Sequence, residues 1–221
     1  MFYEVVVNDW GETTYVPTTL GNICLVFIIA ALLLGAVCFI KKKSRKLSAR
    51  QLAICAAAIA LGTVLSNIKL FKFPTGGSIT LFSMFVICLP GYWFGLGAGV
   101  MTGIAYGVLQ MLIDPYILFP AQLAVDYLLA FGALGLSGLF TGRKHGLILG
   151  YGTGVLGRYA FAVLSGIVFF AYYAWEGWNP IAYSFVYNAI YLLPEALITI
   201  LILALPPVKK AMELVKKQVI E

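Results

Sequence analysis

The sequence predicts an all-α integral membrane protein, a six-helix core preceded by one additional N-terminal transmembrane helix. Three observations carry this expectation. Apolar residues make up 62% of the chain and charged residues only 11%, whereas soluble domains average roughly half apolar and a quarter charged. Several separate apolar stretches reach the length of about 20 residues needed to cross the hydrocarbon core. Lys and Arg gather in short runs beside those stretches, where they act as topology signals. The net charge of +6 therefore belongs to membrane orientation and points away from nucleic acid.

The elements follow in chain order. The first 18 residues carry Glu4, Asp9 and Glu12 but neither Lys nor Arg, so they lack the basic front end of a secretory signal peptide and are expected to be retained. A span over 19–40 has no Tyr, no charge and no polar stripe, and the basic linker Lys41, Lys42, Lys43, Arg45 and Lys46 follows it. Residues 1–46 thus read as an extracellular N-terminus, an added anchor and its linker. The core, 47–206, opens with a span over 51–68 on which Ala53, Ala56, Ala57 and Ala60 make a smooth face. That face suits either packing within the bundle or docking of a partner membrane protein. Spans over 78–94 and 96–113 come next, and Gly91, Gly95, Gly99, Gly103 and Gly107 recur every four residues along them. Small residues at helical spacing let backbones approach closely, so the stripe is expected to be packing surface. Three further spans cover 119–141, 146–173 and 182–205, and Pro206-Pro207 closes the last because neither residue can donate a helix hydrogen bond. Residues 207–221 read as a short amphipathic cytoplasmic tail. Cys24, Cys38, Cys55 and Cys88 lie inside apolar stretches without CxxC or Cys/His metal spacing and read as small buried hydrophobes.

Seven spans place the three basic runs on one side: the linker, Arg143 with Lys144, and Lys209, Lys210, Lys216 and Lys217. By the positive-inside rule that side is cytoplasmic, which puts the N-terminus outside and the C-terminus in the cytoplasm of a multi-pass cell-membrane protein. The opposite side receives Glu4, Asp9, Glu12, Asp114 and Glu176, with Lys69 and Lys72 as its basic exceptions.

Asp126, Arg158 and Glu195 fall within the spans. An ionisable group at the centre of a lipid-facing helix costs about 2.5 kcal/mol or more, so such residues are expected to face a cavity or to pair. Ser184, Asn188, Tyr191, Glu195 and Thr199 share one helix face, and Gln122 and Asp126 stand one turn apart on another span. Two inward polar stripes predict a hydrated or ligand-filled pocket. Asp126, Tyr116, Tyr183 and Asn188 lie toward the outer ends of their segments, so the pocket should open outside. Arg158 and Glu195 sit deeper and are expected to form a structural ion pair. Asp126 has no basic residue at its depth and is the candidate ligand carboxylate. Phe169, Phe170, Tyr172, Tyr173, Trp175 and Trp178 crowd the outer end of the last two spans. Many belong to an interfacial belt, but ring faces also attract a desolvated cation by about 2 kcal/mol. One carboxylate among several rings suits a flat, cationic, heteroaromatic ligand. Enzyme signatures are weak: the single histidine, His145, lies in a loop, and neither a metal motif nor a P-loop occurs. No catalytic residue, metal or cofactor is expected, and energised transport requires a partner or an ion gradient.

The stretches GGSITLFSM at 76–84, PYILFPAQLAVDYLLAFGALGLSGLF at 115–140 and SGIVFFAYYAWEGWNPIAYSFVYNAIYLLPEA at 165–196 resemble the thiamine-specific substrate-binding (S) components of energy-coupling factor transporters. The resemblance covers the whole six-helix core. It implies a membrane subunit that captures thiamine from outside and delivers it through one transmembrane coupling protein and two ATPase subunits, which use the ATP. By position it implies that Asp126 is the pocket acid with Tyr127 beside it, that Tyr183 and Asn188 hold the ligand from the last helix, and that Tyr116 and Tyr106 are pocket aromatics. It also implies partner docking at Ala53 and Ala57. Two positions depart from the pattern. Ala162 stands where a histidine is expected and Phe170 where a tryptophan is, which weakens cation stacking and keeps a related vitamin or thiamine precursor as an alternative ligand. A gradient-driven secondary transporter using Asp126, Glu195 and Arg158 is the alternative of another class; such folds commonly carry internal repeats, and the two halves of this chain show no convincing one.

Overall fold

The computed structural model describes residues 3–7, 13–18, 20, 47–73, 77–116 and 120–220. Apart from Leu20, the added span over 19–40 and its basic linker lie outside the described residues. Near the N-terminus, β1 (Tyr3–Val7) pairs antiparallel with β2 (Thr13–Pro17), Tyr3 opposite Pro17 and Val7 opposite Thr13. The run of Val and Thr explains this short hairpin in a predominantly helical chain, because β-branched residues favour a pleated ribbon over a helix.

Helix α1 (Ala49–Asn67) begins at a capping box. The Ser48 hydroxyl accepts from the Gln51 amide at 3.2 Å, and the Gln51 side chain accepts from the Ser48 amide at 3.0 Å, which satisfies two of the donors a helix start leaves open. Beyond α1 the expected span over 78–94 requires correction. Residues 78–80 form strand β4 (Ser78–Thr80), antiparallel to β3 (Lys69–Lys72), and the helix that follows, α2, runs only over Ser83–Phe94. Gly77 at φ +81° and Phe82 at φ +55° turn the chain at either end of β4, a left-handed conformation that helix interiors do not contain.

Four longer helices complete the bundle: α3 (Leu96–Ile113), α4 (Ala121–Phe140), α5 (Gly146–Phe169) and α6 (Pro180–Ala204). Together with α1 they are, among the described residues, the five helices long and apolar enough to cross a membrane, and α2 adds a shorter apolar sixth. Two start signals are explicit at α6, where the Asn179 side chain accepts from the Ile181 amide and Pro180 occupies the first turn, a position that needs no donor. After Leu205, α7 (Pro206–Ile220) begins at once.

Helix α4 is the most buried of the spans, and the glycine stripe is the reason it can be. A methyl group added at Gly103 would overlap the Phe131 carbonyl oxygen, one at Gly107 the Tyr127 carbonyl oxygen, and one at Gly135 the backbone of Gly99 and Val100. The backbones of α3 and α4 therefore touch where a side chain would hold them apart, the close contact that drives helix association in lipid. Met84, Ile87, Tyr106, Leu134, Tyr151 and Leu192 fill the centre of the bundle. Ala53, Ala56, Ala57 and Ala60 face outward from α1, exposed.

Candidate functional site

A cavity of about 270 Å³ lies between the β3–β4 hairpin and helices α3 to α6. Its wall on α4 owes its shape to an irregular backbone. Residues Ala124–Leu129 form a π-helical turn, and Ala133–Phe140 continue as a 3₁₀ helix. Wide turns of this kind recur at functional sites because they redirect side chains that a regular helix would disperse. Here the consecutive residues Asp126 and Tyr127 both reach the cavity.

Asp126 accepts a hydrogen bond from the Gln122 side chain at 2.9 Å, and the same Gln122 nitrogen donates to the Tyr116 carbonyl at 2.8 Å. The Tyr127 hydroxyl accepts from the Tyr116 amide at 2.8 Å and donates to the Asp114 carbonyl at 3.3 Å. Two side chains of α4 thus fasten the backbone that follows α3, and this sets the Tyr116 ring parallel to Phe170, with centroids 5.9 Å apart at 14°. Across the cavity on α6, Tyr183 is buried with its ring edge-on to Trp175 at 5.2 Å. Asn188 donates to the Ser184 carbonyl at 2.8 Å and accepts from the Tyr191 hydroxyl at 2.7 Å. Tyr106, fully buried on α3, donates to the Gly62 carbonyl of α1. All seven sequence-predicted ligand residues, Tyr106, Tyr116, Asp126, Tyr127, Phe170, Tyr183 and Asn188, border this one cavity. Ala162 borders it as well.

The ion pair expected between Arg158 and Glu195 does not form. The Glu195 carboxylate instead accepts from the Thr80 hydroxyl at 2.6 Å, the Met84 amide at 3.0 Å and the Ser83 hydroxyl at 3.5 Å. Its charge lies at the N-terminus of α2, whose first amides have no partner within the helix and carry partial positive charge. Arg158 lies over the face of Phe131 at 4.2 Å, and both charged residues border the cavity. The physical reason is competition: the helix start and two hydroxyls satisfy Glu195 locally, and a ring face and the cavity accommodate the guanidinium.

Sequence reasoning missed three contributors. The hairpin brings Lys69 and Lys72 to the cavity edge, where both engage Asp114 at the end of α3: Lys69 in close hydrogen-bond contact and Lys72 at 3.2 Å. The Lys69 hydrogen bond, with Lys72 in support and against partial burial, holds the Asp114 carboxyl below the usual carboxylate range. The signal was the glycine pair between KLFK and SIT, a hairpin pattern that the surrounding apolar residues obscured. Ser165 is the third: its hydroxyl is buried at the cavity, near the Asp126 carboxylate, and makes no hydrogen bond of ordinary geometry within the protein. Among the described residues no cluster of His, Cys, Asp and Glu forms a metal site.

Residues 51–215 match the family described as Thiamine transporter protein (Thia_YuaJ). The thiamine transporter ThiT of Bacillus subtilis (strain 168) is 35% identical over 169 residues, 70% of this chain and 87% of that protein. A solved structure of ThiT from Listeria monocytogenes superposes with a TM-score of 0.59 at 28% identity, covering 71% of this chain and 94% of that one.

Proposed function

The chain belongs to the thiamine transporter protein family, and on that premise we propose that it is the substrate-binding membrane subunit of an energy-coupling factor importer, taking thiamine from the outer side. One observation carries the reading: a single cavity gathers the Asp126 carboxylate, the Tyr116–Phe170 ring pair and the polar edge of Tyr183 and Asn188. Thiamine joins an aminopyrimidine to a cationic thiazolium ring. Asp126 accepts from the amino group and balances the cation, Asn188 and Tyr183 hold the pyrimidine edge, and the stacked Tyr116–Phe170 pair offers an aromatic wall to a flat heterocycle. A desolvated cation over such faces gains about 2 kcal/mol.

Delivery across the membrane belongs to partners in this reading: a transmembrane coupling protein that meets the exposed Ala53 and Ala57 of α1, and two ATPase subunits that supply the energy. Small exposed residues at helical spacing suit close contact with another membrane helix. The distribution of Lys and Arg supports an N-terminus outside and a C-terminus in the cytoplasm.

Titration calorimetry of the purified chain with thiamine tests the site. Asp126→Ala and Asn188→Ala are each expected to weaken binding at least tenfold, as loss of a hydrogen bond to a charged or buried group costs about 1.5 kcal/mol or more. Unchanged affinity in both removes the assignment. A second ligand remains in play for a specific reason: Ala162 leaves the cavity wall small and Phe170 is already engaged with Tyr116. Quenching of Trp175 fluorescence by a panel of vitamins and thiamine precursors separates the two readings. Uptake into vesicles only when the ATPase partners are present excludes a gradient-driven carrier.

A further inference from the structure

Helix α7 is tied to the bundle along one side only. Val208, Met212 and Val219 are half-buried toward it; the Lys216 amine sits 4.2 Å over the Tyr92 ring, and Arg50 at the start of α1 donates to the Gln218 carbonyl at 2.6 Å. These ties fix the roll of the helix about its own axis. At 100° per residue, Leu214 then lies about 120° round the helix from Val208, off the row that packs on the bundle, whereas Val215 lies about 20° from Val208 at the edge of that row; Leu214 is 62% exposed. Lys210 and Lys217 stand one turn before and one turn after Leu214 on the same side, both exposed. The helix starts two residues after α6 ends, so it emerges where a membrane span reaches the surface. Arg143 and Lys144, exposed between α4 and α5, add positive charge at the same end of the bundle.

We propose that α7 is an interfacial helix that binds anionic phospholipid headgroups through Lys210 and Lys217 while Leu214 enters the acyl boundary. An exposed leucine flanked by lysines at the end of a membrane span complements a negatively charged leaflet in both charge and depth. Because Arg50 joins α7 to the first turn of α1, lipid binding holds the α1 face that bears Ala53 at a set angle to the bilayer. The proposal depends on no particular ligand of the cavity.

The test uses the full chain in nanodiscs of phosphatidylcholine, with and without phosphatidylglycerol. Phosphatidylglycerol is expected to raise the thermal midpoint of the wild type, and added salt to diminish the gain. In Lys210→Gln/Lys217→Gln the gain disappears, with phosphatidylglycerol affinity lower by about fivefold per lysine, while an unchanged thermal midpoint in phosphatidylcholine alone reports that the fold is intact. In Leu214→Trp the introduced indole is expected to be quenched by brominated acyl chains. An equal gain in the double variant, or an indole emission in Leu214→Trp that brominated lipid does not quench, overturns the proposal; loss of assembly with coupling subunits at unchanged lipid response assigns the surface to a protein instead.

Discussion

The carboxylate of Glu195 on α6 accepts a 2.6 Å hydrogen bond from the Thr80 hydroxyl of β4 while also receiving the Met84 amide of α2. One side chain thereby joins the hairpin, a helix start and the last span at the cavity wall. Hydrogen bonds to a charged group contribute about 1.5–3 kcal/mol each, so Glu195→Ala is expected to lower stability by at least about 3 kcal/mol. Glu195→Gln keeps an acceptor for Met84 and should lose about half as much. Thermal unfolding in one detergent ranks the three proteins; equal midpoints for wild type and Glu195→Ala would show that the junction does not stabilise the fold.

The glycine stripe yields a second prediction. A methyl group at Gly107 overlaps the carbonyl oxygen of Tyr127, whose hydroxyl fastens the Tyr116 segment. Backbone cannot move aside cheaply in a close-packed interior. Gly107→Ala is expected to cost about 1–3 kcal/mol, the usual range for overpacking, and to weaken ligand binding by displacing Tyr127. Gly152→Ala, where an added methyl meets nothing within 4 Å, is the control and should leave binding unchanged.

Much of this arrangement was legible in the residues. Apolar length located α1 and α3 to α6 within a few positions, and the spacing of Gln122 with Asp126 and of Ser184 through Glu195 placed the polar stripes that meet at the cavity. Three features were not legible, each for a physical reason. The Ser78–Thr80 strand sits in an apolar run continuous with α2, and apart from the glycine pair before it, pairing with Lys69–Lys72 is what distinguishes it from helix. The π turn around Asp126 leaves no periodic signature over six residues. Glu195 looked like a partner for Arg158 because its real partners, Thr80 and the start of α2, become its neighbours only after the hairpin folds.

The clasp of Lys69 and Lys72 on Asp114 predicts a pH dependence. A carboxyl whose folded pKa is depressed stabilises the fold above its unfolded value, about 3.9, and that contribution vanishes as pH falls through the folded value. The hairpin should therefore stay clasped from pH 8 to about pH 5 and loosen only below about pH 4. Asp114 is 42% exposed, and exposed pairs contribute about 0–1 kcal/mol, so Asp114→Asn should shift global stability by less than about 1 kcal/mol. Because β3 walls the cavity, the larger effect is expected in kinetics: faster ligand dissociation in Asp114→Asn, measured by stopped-flow fluorescence, with the pH sensitivity gone.

Ser165 separates a binding role from a packing role. Its buried hydroxyl makes no well-formed hydrogen bond within the protein although it borders the cavity beside Ala162 and Gly166. Buried polar atoms are seldom left unsatisfied, and a bound ligand's heteroatom would supply the missing bond. Because the hydroxyl lies near the Asp126 carboxylate without a well-formed bond to it, Ser165→Ala should change the thermal midpoint little. Ligand affinity should fall by about five- to tenfold, the equivalent of one hydrogen bond of about 1–1.5 kcal/mol. A structural serine would show the opposite pattern, with reduced stability and unchanged affinity. Calorimetry and thermal unfolding on the same preparation distinguish them, and Ser165→Thr, which retains the hydroxyl, should recover part of the affinity if its methyl group fits.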